Sequence, residues 1–171
     1  MNTGSVMALG IMVGVMIAAC VLSRKAKKTT EYDEMQLKIR ARGYQIGFFT
    51  ALGLLVVLIL LLELNAFSFV TPGFAVYAIL MISVVVFAAY CILHDAFVAV
   101  RGKPGSYIGI FSIIVILEGI ITVRHLMEGD LLENGKLTFS GGAGAVMCIG
   151  FLTLLLTLIV KTVRNGKEAE E

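Results

Sequence analysis

The chain has 171 residues, of which 58% are hydrophobic and 15% charged, with a formal net charge of +2. Soluble domains average roughly 45–50% apolar and about 25% charged, so this chain is too apolar and too poor in charge to coat a soluble fold. Two prolines and three cysteines exclude a collagen-like repeat and a disulfide-stapled scaffold, and the apolar excess excludes disorder.

A helix needs about 20 mainly apolar residues to cross a hydrocarbon core roughly 30 Å thick. Five stretches come close, at residues 6–22, 46–64, 74–93, 107–123 and 143–160. Their apolar character runs all round the helix rather than along one stripe. The short alternating segments of a membrane β-barrel are missing, and only helices or closed barrels satisfy the backbone in lipid. The expected fold is all-α: a single integral membrane domain, a polytopic bundle of five spans with a cytoplasmic juxtamembrane amphipathic helix.

The first span, 6–22, contains Gly10 and Gly14 in GxxxG spacing, continued by Ala18. Such an edge lets helices approach closely, within one chain or in a homo-oligomer. Ile17-Ala18-Ala19-Cys20 has the shape of a bacterial lipoprotein cleavage box. The first five residues carry no positive charge, however, and a basic cluster follows at 24–28, which favours an uncleaved span.

Loop 23–45 holds seven of the fourteen Lys and Arg residues. Thr30 is placed to cap a helix starting at Glu31, with acids early (Asp33, Glu34) and bases later (Lys38, Arg40, Arg42), as the helix dipole favours. Glu34 and Lys38 form an i,i+4 pair. The expectation is a surface helix that bends at Gly43 and runs into the second span. Tyr32-Asp33-Glu34-Met35-Gln36, then Ile39-Arg40-Ala41-Arg42-Gly43-Tyr44 and Phe48, resembles the juxtamembrane signature of small multi-pass membrane proteins of Gram-positive, Firmicutes-type bacteria. Ala41 stands where that pattern has Gly. The resemblance covers about 17 residues and implies a membrane location without implying an activity. Asp33, Glu34, Gln36, Lys38, Arg40 and Arg42 are the candidate contact for anionic lipid headgroups or for a cytoplasmic protein.

Residues 124–142 form the other long connection. Asn134-Gly135 between short apolar runs is a strong hairpin signal, so an extracytoplasmic hairpin is expected there. Loops one and three and the C-terminal tail together hold twelve of the fourteen bases. Positive loops stay cytoplasmic, which puts the N-terminus outside and the C-terminus inside a bacterial plasma membrane.

Ionisable groups inside spans are expensive and mark functional sites. Glu118 stands in the fourth span and Glu63 near the outer end of the second. His125 lies two turns beyond Glu118 on the same face, beside Arg124. These four form a candidate intramembrane polar site for a cation, an organic ligand or a proton. A second group, Tyr90, Cys91, His94 and Asp95, ends the third span. Cys91 and His94 are one turn apart, but no paired short-spacing ligand pattern accompanies them, so no metal is expected. No nucleophile triad, phosphate loop, dinucleotide fingerprint or nucleic-acid motif is readable. No catalytic residue and no cofactor is therefore assigned. The leading expectation is an accessory or regulatory membrane protein, and the alternative is a transport or binding component with its site near Glu118.

Overall fold

The computed structural model describes residues 32–64, 69–100, 104–129, 132–133 and 135–168. The expected first span 6–22, with Gly10, Gly14 and Cys20, lies outside the described residues, as does Thr30. Among the described residues the fold is helical, with a small hairpin: α1 (Glu34–Glu63), α2 (Pro72–Leu93), α3 (Pro104–Glu128), β1 (Leu132–Glu133), β2 (Lys136–Leu137) and α4 (Phe139–Glu168). All four helices are long and apolar enough to cross a membrane.

The helices start and stop where local chemistry dictates. α1 begins three residues later than expected, because Asp33 is its N-cap and forms a capping box with Gln36. The Asp33 N–H donates to Gln36 Oε1 at 3.4 Å. Among the described residues the expected juxtamembrane helix and the span are a single element. Residues 34–63 form one continuous helix of 30 residues, about 45 Å long. Gly43 is not a break in it but a buried contact. α2 opens on Pro72 at its first position, where the missing N–H costs nothing. α3 ends at Gly129, whose φ of +77° is open to glycine. Hydroxyls inside the apolar stretches donate to the carbonyl four residues back, as Thr50 does to Ile46 and Ser83 to Ile79. That removes their polar cost in lipid.

α1 packs on α2, α2 on α4 and α4 on α3. Chain order and spatial order therefore differ, with α4 between α2 and α3. Glycines set the close approaches. Gly43 faces Phe87, Tyr90 and Cys91 of α2, and Gly47 faces the Ser83 carbonyl. Gly142 lies under the Phe74 ring, and Gly150 against Val85. One apolar cluster joins Leu58, Val70, Phe74, Ala75 and Ile79 at the end where α1 finishes. Another joins Ala88, Ile92, Phe111, Leu154 and Leu158 toward the opposite end.

The hairpin forms at Gly135 (φ +74°), with Leu132 opposite Leu137 and Glu133 opposite Lys136. Its second strand also stitches to the α1–α2 connection. The Leu137 N–H donates to Phe69 O at 2.9 Å, and the Thr71 N–H donates to Leu137 O at 3.0 Å.

Candidate functional site

Two polar sites stand out, one at each end of the bundle. The first gathers at the basic end, where α1 and α3 begin and α2 and α4 finish. α2 closes in a Schellman arrangement: the Asp95 N–H bonds Ile92 O at 3.2 Å and the Ala96 N–H bonds Cys91 O at 2.8 Å. The left-handed position of that motif normally holds Gly, but here it holds Asp95, with φ +56°. The conformation is costly for a side chain, and three partners fix it. Lys161 Nζ lies 2.7 Å from Asp95 Oδ2. Asn165 Nδ2 donates to Oδ1 at 3.0 Å. Gln36 Nε2 donates to the Asp95 carbonyl at 2.6 Å and to Val98 O at 3.2 Å. Gln36 thus serves its own helix start through its oxygen and ties down the α2–α3 connection through its nitrogen. The node lines a crevice of about 290 Å³ shared by α1, α2 and α4.

The loop-one candidates divide around this node. Asp33 caps α1 and Gln36 anchors it. Arg40 is half-buried, with its guanidinium 4.3 Å from the centre of the Tyr32 ring. It borders an aromatic-walled cavity of about 190 Å³ with Phe87, Cys91, Phe97 and Tyr107. Glu34, Lys38 and Arg42 are exposed, so they are the outward-facing members. The Tyr90, Cys91, His94 and Asp95 group does not converge. Cys91 is buried against Gly43, His94 is exposed beside Tyr90, and Asp95 turns to α4. Among the described residues no three His, Cys, Asp or Glu side chains are placed to hold a metal.

The second site lies on the α3–α4 seam toward the hairpin end. Val115, Glu118, Thr122 and His125 fall on one face of α3 at three- and four-residue spacing. A Cβ built on Gly144 of α4 would stand 3.2 Å from Glu118 Oε2 and 3.2 Å from Thr122 Oγ1. The glycine leaves the notch that admits the carboxylate. Below it the Cys148 Sγ donates to Val115 O at 3.7 Å. Tyr77 of α2 donates to Ala143 O at 3.4 Å beside the same seam. His125 Nδ1 is buried and has no protein partner.

Of the four sequence candidates, Glu118 and His125 share this seam, whereas Arg124 and Glu63 do not join it. Arg124 pairs with Glu128 at 2.7 Å on the exposed side of α3. Glu63 is exposed at the end of α1, and no hydrogen bond or ion pair links it to Glu118 among the described residues. Sequence reading missed Gly144, Thr122 and Tyr77 as neighbours of Glu118, and Lys161 and Asn165 as partners of Asp95. Gly43 and Gly47 were detectable, since their spacing repeats that of Gly10 and Gly14. Asp95–Lys161 and Asp95–Asn165 join positions too far apart in the chain for any local pattern to reveal.

Four apolar helices in antiparallel succession, held at both ends by polar stitches, define a membrane protein of helical-bundle type. No protein-family model matches the chain, and neither a curated protein nor a solved structure matches it.

Proposed function

We propose that the chain is a bacterial plasma-membrane protein with five crossings, its N-terminus outside and its C-terminus cytoplasmic. In this reading it is an accessory or regulatory component rather than an enzyme. Its basic end contacts anionic lipid headgroups and a cytoplasmic protein. The supporting observation is that Lys38 and Arg42 are exposed on a helix whose start is fixed to the rest of the bundle through Gln36. Fixed cations recognise a partner better than cations on a mobile loop, because less ordering entropy is lost on contact. Lys38→Glu with Arg42→Glu should leave the bundle folded. It should abolish both the added thermal stability in phosphatidylglycerol nanodiscs over phosphatidylcholine and the recovery of any soluble protein that co-purifies with the wild type. Retention of both in the double variant would overturn the reading.

A second reading, a component that binds or moves an ion, is favoured by Glu118. Its carboxylate has no cationic partner among the described residues.

A further inference from the structure

We infer that Glu118 is a proton-binding carboxyl, loaded and emptied along the α3–α4 seam past Thr122 and His125. The inference rests on the ion-handling reading of Glu118 and names its ion. Glu118 lies ten residues before the end of α3, so about 15 Å of helix separates it from that end. A carboxylate at such a depth has to acquire a positive charge, by pairing, by binding a metal ion or by taking up a proton. Pairing is disfavoured, because Arg124 is committed to Glu128 on the exposed side of the helix. α4 offers no charged residue between Phe139 and Val160. The titratable groups that approach Glu118 are Tyr77 from α2, His125 from α3 itself and Cys148 from α4, and none is a fixed cation.

A metal ion fits poorly. Hard cations take six or more oxygen ligands. The Thr122 hydroxyl already donates to the Glu118 carbonyl at 2.7 Å, and the opposite wall of the notch is the bare Gly144 backbone. An organic ligand has no room where a single methyl group would already press on both oxygens. The proton remains.

His125 supplies the independent observation. Its buried Nδ1 is the only buried side-chain nitrogen or oxygen among the described residues without a partner, and such groups are rare unless they serve a purpose. It stands on the Glu118 face, about 10 Å further toward the hairpin end. Thr122 lies between the two, so hydroxyl and imidazole mark a polar track through an otherwise apolar seam.

The test uses the full chain in nanodiscs. Dicyclohexylcarbodiimide adds to a protonated carboxyl in apolar surroundings, and the adduct is located by peptide mass spectrometry. Glu118 should be modified, with labelling that falls as pH rises and is unaffected by sodium or potassium ions. The infrared band of a protonated carboxyl should be present in the wild type and absent in Glu118→Gln. His125→Gln should slow labelling without removing the band. If sodium or potassium ions protect Glu118, the proton inference falls and the ion-handling reading survives. If at neutral pH Glu118 neither labels nor shows the band, and no cation protects it, both fall. The labelling of the wild type, located by peptide mass spectrometry, is decisive even where a variant fails to fold.

Discussion

Asp95 shows how a single side chain can outweigh its own backbone preference. A non-glycine residue in the left-handed region loses roughly 1 kcal/mol relative to glycine. Here it supplies a carboxylate that holds Lys161, whose side chain is only 13% exposed, at the close of α4. Asp95→Ala keeps the backbone cost and loses both side-chain contacts, whereas Asp95→Gly loses the contacts and relieves the backbone. Thermal unfolding in detergent should therefore rank the wild type above Asp95→Gly, and Asp95→Gly above Asp95→Ala. The alanine variant should lie about 1–3 kcal/mol below the wild type, because it leaves a largely buried ammonium unpaired. Equal unfolding of the two variants would mean that the left-handed conformation carries no cost here.

At the scale of elements, the glycines decide which helix faces meet. In lipid no hydrophobic force drives helices together, so close packing and hydrogen bonds must do so. A Cβ on Gly142 would come within 2.5 Å of the Phe74 ring, and one on Gly47 within 3.1 Å of the Ser83 carbonyl. On Gly43 it would meet the Cys91 sulfur at 3.1 Å and two aromatic rings at 3.2 Å. Gly53 has nothing within 4 Å. Replacement by alanine should thus be worst at Gly142, intermediate at Gly47 and Gly43, and neutral at Gly53. Unfolding midpoints in a single detergent would check the order, and a harmful Gly53→Ala would refute it. The hairpin belongs to this scale as well. Asn134-Gly135 announced it, because the turn needs a residue at ease with positive φ. Its bonds to Phe69 and Thr71 had no local signal, since they join two separate connections.

For the whole molecule, the apolar runs were legible in the sequence because about 20 residues must be apolar to cross lipid. The expected spans 46–64, 74–93, 107–123 and 143–160 each fall within or at the edge of α1 to α4. The ends were less legible, since polar residues that extend a helix beyond lipid look like loop. The stretch from Glu31 to residue 45 was therefore expected to be a surface helix set off from the second span by a bend at Gly43. At the candidate site, Glu118 was visible as a charge in an apolar run, but its glycine notch on α4 was not, because spatial order departs from chain order. The ends also differ in charge. Lys38, Arg40, Arg42, Lys161, Arg164 and Lys167 lie at one end with Asp33, Glu34, Asp95 and Glu168, so bases outnumber acids there, whereas Glu63, Glu128 and Glu133 outnumber Arg124 and Lys136 at the other. A reporter fused after Glu171 should behave as cytoplasmic, and an external signal there would reverse the proposed orientation.

The position of α4 between α2 and α3 also bears on biosynthesis. A ribosome releases α3 before the helix that separates it from α2 has been made. Glu118 enters the membrane before Gly144 exists to shelter it, and Asp95 leaves the ribosome some seventy residues ahead of Asn165. The last turns of α4 are therefore the clasp that closes the four described helices.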